Sequence, residues 1–167
     1  MKTKRTLILS NIILIILLLI PLNKIDLFNE NYSTLSLTTR GYLYVLFFGI
    51  FSGVVLSYET YLINNNKKRS LFMFLSLFIG TIIPHHIPYN IQGNLHLLFA
   101  YVGFFGLVVI TFINLTNKNS KEIYLLLIML SVVIYFYCGM VNTLSEIIVM
   151  VFSLMFNLTT VYSIKKL

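Results

Sequence analysis

The stretch LHLLFAYVGFFGLVVITFINL, residues 95–115, contains no Asp, Glu, Lys or Arg. A helix needs roughly 20 mostly apolar residues to cross the hydrocarbon core of a bilayer, so this stretch is long enough to span it. A closed barrel would need short segments of alternating polarity, and an open strand would leave backbone groups without partners in lipid. The stretch therefore predicts a transmembrane helix.

The rest of the chain has the same apolar character. Hydrophobic residues make up 58% of its 167 residues and charged residues only 10%, with a mean hydropathy of +0.90. A soluble domain carries about 25% charged residues, because its surface must be wetted. We therefore expect an all-α polytopic membrane protein, with a single transmembrane domain over residues 1–167.

Five further segments approach the same length and apolarity, which predicts a bundle of six transmembrane helices. The predicted helices are roughly 6–22, 41–63, 70–84, 95–115, 122–141 and 143–164. The third is short and ends at Pro84. The first begins after the basic stretch MKTKR and is followed by PLNKID, which offers no small-residue cleavage site. We therefore expect a retained helix there and not a signal peptide.

Basic residues orient this bundle, because loops on the cytoplasmic side are enriched in Lys and Arg. Lys24 and Arg40 fall on one face of the predicted topology. The other ten of the twelve basic residues fall on the opposite face, namely Lys2, Lys4, Arg5, Lys67, Lys68, Arg69, Lys118, Lys121, Lys165 and Lys166. Both termini are therefore expected in the cytoplasm.

The net charge of +7 is explained by this topology. Basic residues beside the membrane contact anionic lipids at the cytoplasmic face, so we expect the lipid bilayer as partner and no nucleic acid. The sequence does not identify a protein partner. The chain is rich in Ile, Asn, Phe, Tyr and Lys and has a single Ala, which suggests an AT-rich bacterial genome. We accordingly expect a multi-pass protein of the bacterial cytoplasmic membrane.

All three histidines lie in PHHIPYNIQGNLH, residues 84–96, on the predicted outer side. His85 and His86 are adjacent, so on a regular helix their side chains point about 100° apart. A zinc site that combines one of them with His96 and Glu146 would have the ligand number of a catalytic zinc centre. An imidazole at the water boundary, by contrast, needs no ligand. We expect no cofactor, and zinc on His85, His86 and His96 stays the alternative.

Polar residues line one face of the predicted last helix. Glu146, Ser153, Asn157 and Thr160 are seven, four and three residues apart, and at 3.6 residues per turn they share that face. The face either bonds neighbouring helices or lines a binding pocket. His96 opens the fourth helix on a face of small residues, which predicts a packed position and a hydrogen bond to Glu146 at the outer mouth. The predicted ligand-binding residues are His96, Glu146, Ser153 and Asn157.

Small residues also recur on the predicted second helix. Gly49, Gly53 and Ser57 are spaced four residues apart, and Ser52 lies beside them. This spacing lets two helix backbones approach closely. We expect the seam to pack against a helix of the same bundle rather than to form a dimer.

Two segments carry a family resemblance. GNLHLLFAYVGFF (93–105) resembles the G-x-L-H-x-x-x-A segment of a family of six-helix bacterial membrane proteins, the domain of unknown function 998, which is similar to the Frag1/DRAM/Sfk1 group. GMVNTLSEIIVMVFSLMFNL (139–158) resembles that family's later Gly and the Glu that opens its last helix. The family usually follows this Glu with Arg, whereas Ile147 follows Glu146 here.

This resemblance implies a six-helix fold over roughly residues 40–165 and no settled activity. The positions that match the family's pattern are Gly93, His96, Ala100, Gly139 and Glu146.

Three functions fit the sequence. The one we favour is non-enzymatic binding or movement of a small or lipidic ligand through an extracytoplasmic-facing polar pocket. The second is a membrane-embedded metal-dependent lipid hydrolase, for which the histidines and Glu146 supply ligands but leave the general base unassigned. The third is a structural or accessory subunit of a membrane complex. No phosphate-binding loop or nucleophile elbow occurs in the sequence, and we expect no enzyme.

Overall fold

A computed structural model describes residues 2–83, 91–138 and 142–165 of the chain, and all its long elements are helices. The six α-helices are α1 Lys2–Leu19, α2 Thr39–Asn64, α3 Lys67–Ile82, α4 Ile91–Asn114, α5 Lys118–Cys138 and α6 Thr143–Lys165. Two short 3₁₀ segments, Ile20–Asn23 and Tyr32–Leu37, lie in the connection from α1 to α2. The expected all-α fold is therefore confirmed.

Five of the six helices are long and apolar enough to cross a membrane, and α3 is the exception. The five spans are Arg5–Asn23, Thr39–Asn64, Gly93–Asn114, Lys118–Cys138 and Thr143–Ile164. α3 has 16 residues. At 1.5 Å per residue it rises roughly 24 Å, less than the roughly 30 Å of a hydrocarbon core.

The outside of the bundle is apolar along several helices. Phe105, Leu126, Phe136 and Tyr137 are all more than 60% exposed. Such a surface is typical of helices that face lipid, because a contiguous apolar face of this extent is rare on soluble monomers. Fold and surface together indicate a membrane protein.

Helix ends differ from the predicted ones for local reasons. α1, α3 and α5 begin at Lys2, Lys67 and Lys118, ahead of the apolar runs, because the basic residues before each run continue the helix. α3 ends at Ile82, and Ile83 has an extended backbone with φ −97° and ψ 119°. The residue before a proline is pushed out of the helical region, and Pro84 follows Ile83.

α2 and α3 are joined by only two residues. Asn65 has a left-handed backbone with φ 48°, and its N–H donates to the Tyr61 carbonyl oxygen. Asn66 caps α3, since its side-chain oxygen accepts from the N–H groups of Lys68 and Arg69. A left-handed residue at the end of a helix followed by an N-cap reverses the chain within one tight turn.

The small-residue seam of α2 packs against α3. A methyl group on Gly49 would lie 2.3 Å from Thr81 Oγ1, and one on Gly53 would lie 3.1 Å from the Phe74 ring. The approach at Gly49 requires a residue without a side chain, whereas at Gly53 a methyl group would require the Phe74 ring to shift slightly. The expectation that the seam packs within the bundle is confirmed.

α3 and α4 also approach closely. A methyl group on Gly103 would lie 2.3 Å from the backbone oxygen of Ser76, whereas one on Gly80 would meet Ala100 Cα at an ordinary 3.6 Å. The backbone of α4 thus lies almost directly on α3 at Gly103.

The first turn of α6 is bound to the connection between α1 and α2. The backbone N–H and the hydroxyl of Thr143 both donate to the Glu30 carbonyl oxygen, at 2.7 and 2.8 Å. The N–H of Leu144 donates to the carbonyl oxygen of Leu27 at 3.1 Å. Helix N-termini have N–H groups without partners in the helix itself, and here a distant loop supplies acceptors.

Candidate functional site

A cavity of about 150 Å³ lies among α1, α2, α3, α4 and α6. Its wall is mostly apolar and includes Leu18, Phe48, Leu107 and Met150. The polar side chains on the wall are those of Tyr44, Ser76, Thr81 and Glu146. The cavity lies in the half of the bundle where α1 ends and α2 and α6 begin.

Glu146 is the charged residue on this wall. It lies in the first turn of α6 and is half-buried, and its N–H donates to the Asn142 carbonyl oxygen at 3.1 Å. A carboxylate in the first helical turn interacts favourably with the helix dipole. The contacts of Thr143 with Glu30 fix the same turn, so the connection between α1 and α2 helps to position Glu146.

Ser76 adds a second polar group to the cavity. Its side chain is 3% exposed, and its hydroxyl has no hydrogen-bond partner within the described part of the chain. The hydroxyl of Tyr44 is engaged by contrast, because it donates to the carbonyl oxygen of Leu17. Ser76 thus retains its capacity to bind a polar group in the cavity.

His96 lies on a packed side, as predicted, with 2% exposure. Its ring atom Nδ1 contacts the Ile83 carbonyl oxygen, and because a carbonyl only accepts, Nδ1 is the protonated donor. His96 thus bonds the backbone just after the end of α3. The expected hydrogen bond between His96 and Glu146 stays a prediction.

The proposed metal ligands are only partly described. His85 and His86 lie outside the described residues. Within residues 2–83, 91–138 and 142–165, no group of three His, Cys, Asp or Glu side chains could hold a metal ion. The zinc alternative depends on His85 and His86 and stays a prediction.

Ser153 and Asn157 lie in a buried hydrogen-bond network that ties four helices together. Asn157 Nδ2 donates to Thr111 Oγ1 at 3.1 Å, and Asn157 Oδ1 accepts from Asn114 Nδ2 at 2.7 Å. The hydroxyls of Ser153 and Tyr124 share a hydrogen bond of 2.8 Å. All five side chains are 3% exposed or less.

The same network extends to α2. Asn114 Nδ2 also donates to Thr60 Oγ1 at 3.0 Å, and Asn114 Oδ1 accepts from Asn64 Nδ2 at 2.6 Å. The network lies at the end of the bundle where α2 and α4 finish. Asn157 is eleven residues beyond Glu146, roughly 16 Å along the helix, so the polar face of α6 serves two separate regions.

Sequence reasoning missed Glu59 as an interior residue. Glu59 falls in the last turns of the second helix, and its side chain is 0% exposed. Asn11 on α1 donates to Glu59 Oε1 through Nδ2 at 2.7 Å. The signal was available, since Asn11 interrupts an apolar run and an ionisable residue inside a span indicates a functional site.

Comparisons with protein-family models, with curated proteins and with solved structures found no match for this chain. The resemblance to the domain of unknown function 998 therefore stays a prediction from the residues that carry it. Function has to be argued from the geometry of the site.

Proposed function

We propose that this chain is a non-enzymatic membrane protein that binds a small or lipidic ligand in the cavity bearing Glu146. The observation that carries the proposal is an apolar cavity of about 150 Å³ with one carboxyl group on its wall. An apolar protein cavity of about this size holds a molecule such as benzene. The bound part of the ligand is therefore a short alkyl chain or a single ring.

The polar groups on the wall define the rest of the ligand. Glu146 accepts hydrogen bonds and attracts cations, and the Ser76 hydroxyl donates or accepts. The ligand therefore has an apolar body and a hydrogen-bond donor, as in an alkylamine or an alcohol. A buried polar group selects strongly against ligands that leave it without a partner.

A binding measurement on purified protein tests this proposal. Short alkylamines and alkanols are titrated against the full chain in detergent, with the thermal midpoint as readout. Wild type is compared with Ala100→Leu, which adds volume at the cavity wall, and with Val102→Leu, which adds it at a position 47% exposed on the same helix. We expect the ligand-induced shift to be lost in Ala100→Leu and kept in Val102→Leu.

Glu146→Gln separates the two ligand classes in the same assay. We expect this variant to reduce the thermal shift caused by alkylamines more than the shift caused by alkanols, because only the charged carboxylate attracts a cation. Equal shifts for wild type, Ala100→Leu and Val102→Leu would show that the ligands bind elsewhere, which contradicts the proposal.

The orientation belongs to the same proposal. We propose six spans, including α3, with both termini in the cytoplasm of a bacterium and the cavity toward the outer face. The support is the charge distribution, since ten of the twelve basic residues fall on the face with the termini.

Cysteine labelling tests the orientation. In a Cys138→Ser background, a single cysteine replaces either Asn29 in the connection between α1 and α2 or Asn117 before α5, both of which are exposed. We expect a membrane-impermeant maleimide to label the first position in intact cells and the second only after lysis. The reverse labelling pattern would show that the orientation is opposite to the one proposed.

A further inference from the structure

Glu59 and Asn11 form a buried pair between α2 and α1. Their side chains are 0% and 4% exposed. Asn11 Nδ2 donates one hydrogen to Glu59 Oε1 at 2.7 Å and the other to the Leu7 carbonyl oxygen at 3.0 Å. Both amide hydrogens are therefore in use.

The two atoms left over in this pair are both oxygens. Glu59 Oε2 and Asn11 Oδ1 are buried and have no hydrogen-bond partner in the part of the chain that the structure describes. Glu59 Oε2 shares its carbon, Cδ, with Oε1, and Asn11 Oδ1 shares its carbon, Cγ, with Nδ2. Both oxygens therefore belong to the two groups that the Nδ2–Oε1 hydrogen bond already joins. A carboxylate oxygen and an amide oxygen only accept, so they cannot satisfy each other unless a hydrogen lies between them.

Within the described part of the chain, no counter-charge compensates Glu59. The charged side chains described on the helices packed against α2 are those of Arg5 on α1, of Lys67, Lys68 and Arg69 on α3, and of Glu146 on α6. The basic ones are all exposed, and none of these five is in an ion pair with Glu59 among the described residues. A buried carboxylate without a cation is strongly disfavoured, whereas a carboxylic acid that donates a hydrogen bond is not.

We propose that Glu59 is a proton-binding site. A proton taken from water binds to Oε2, which then donates to Asn11 Oδ1. Together with the bond from Asn11 Nδ2 to Oε1, this closes an acid–amide pair with two hydrogen bonds. One proton makes one covalent bond and one hydrogen bond, which matches the two available atoms, whereas a metal cation requires a larger set of oxygens.

The proton also controls a helix contact. Its release would turn the donor at Oε2 into an acceptor opposite Asn11 Oδ1. The pair would lose one hydrogen bond and place two oxygens against each other between α1 and α2. The position of α1 against α2 is thus linked to the protonation of Glu59.

Infrared spectroscopy of the purified full chain tests the proposal directly. A protonated carboxylic acid has a C=O stretching band well above the carboxylate bands, and the band shifts when the solvent is exchanged for D₂O. The chain has only five Asp and Glu residues, so individual bands can be assigned with few variants. We expect an acid band in wild type at neutral pH.

Three variants assign this band. We expect it to vanish in Glu59→Gln, whose amide can still donate to Asn11 Oδ1 and so preserves the fold. We expect it to persist in Glu146→Gln and in Glu122→Gln, where the carboxyl is 59% exposed and lies 3.7 Å from the Lys118 ammonium. A wild type without the band, or a band that survives Glu59→Gln, overturns the proposal.

Asn11→Leu tests the pairing independently. Removing the amide acceptor frees the acid O–H, so the C=O band should shift in frequency while remaining present. A purely packing role for Asn11 would not move this band. An unchanged band in Asn11→Leu therefore overturns the acid–amide pair.

Discussion

The side-chain nitrogen of Asn114 donates to Asn157 Oδ1 at 2.7 Å, and both residues are completely buried. This bond joins α4 to α6 in the interior. Asn114 also bonds Thr60 and Asn64 on α2, so one amide connects three helices. The bundle is held at this end by hydrogen bonds, whereas Leu14, Leu56 and Leu154 form part of an apolar core farther along.

Asn114→Ala should destabilise the bundle by about 1–3 kcal/mol, because it leaves buried partners without hydrogen bonds. This exceeds the roughly 0.6 kcal/mol average for one interhelical hydrogen bond, since three bonds are lost. Reversible unfolding in mixed micelles measures the change. Asn94→Ala is the matched control, because Asn94 is an exposed asparagine on the same helix and should change stability little. Equal losses in the two variants would contradict the role given to the network.

Gly103→Ala should destabilise the chain far more than Gly80→Ala. The added methyl group would lie 2.3 Å from the Ser76 backbone oxygen, so α3 and α4 would have to move apart. At Gly80 the nearest atom would be 3.6 Å away, an ordinary contact. We expect a loss of about 1–3 kcal/mol for Gly103→Ala, as for other overpacked sites. Thermal midpoints of the two variants provide the test, and similar midpoints would argue against the close approach.

The turn between α2 and α3 should tolerate glycine and reject a branched residue. Asn65 has φ 48°, where a left-handed backbone costs most residues roughly 1–2 kcal/mol. Asn65→Val should therefore lower the free energy of unfolding by about that amount, whereas Asn65→Gly should leave it nearly unchanged. Denaturation of both variants beside wild type gives the comparison. A valine variant as stable as wild type would rule out the left-handed backbone.

Asp26 should make the connection between α1 and α2 sensitive to acid. Hydrogen bonds from the Asn29 side chain and from the N–H groups of Phe28 and Asn29 lower the pKa of Asp26 below its ordinary value. A carboxyl with a lowered pKa stabilises the folded loop above its unfolded pKa, and this contribution is lost as the pH falls through the folded pKa. The amide resonance of Phe28 should follow this titration in micelles, and Asp26→Asn should abolish the dependence. A titration midpoint at or above the ordinary pKa of an Asp side chain would contradict this prediction.

Purified protein should contain no stoichiometric zinc. Elemental analysis of wild type and His96→Ala, both prepared without chelators, measures this. The described contact of His96 is with the Ile83 carbonyl oxygen, which explains its burial without a metal. Stoichiometric zinc that disappears in His96→Ala would instead support the metal-dependent lipid hydrolase.

Much of the architecture could be predicted because a membrane helix is specified by its own residues. Continuous apolar runs predict each helix without reference to any other, and Pro84 marks where α3 stops. Glycine spacing likewise predicts a close contact on α2, since only the absence of side chains permits it. These signals are local, and the structure agrees with them to within a few residues.

Partners across helices could not be predicted in the same way. Asn11 and Glu59 are 48 residues apart, and nothing in either helix specifies that they meet. One hydrogen bond of His96 is with a backbone oxygen, which every residue has and no sequence pattern indicates. The residue spacing predicts that Glu146, Ser153 and Asn157 share one face of the last helix. It does not predict that Glu146 lines the cavity while Ser153 and Asn157 join the hydrogen-bond network, because that depends on which helices pack against each part of α6.

The bonds from Thr143 and Leu144 to Glu30 and Leu27 have a consequence for biosynthesis. Glu30 is synthesised 113 residues before Thr143, so the acceptor carbonyl groups have no partner in α6 while the four intervening helices are made. During that interval the wall of the cavity that Glu146 provides does not exist. A nascent chain arrested before α6 would therefore contain α1 to α5 but lack the hydrogen bonds that hold the connection between α1 and α2 against α6.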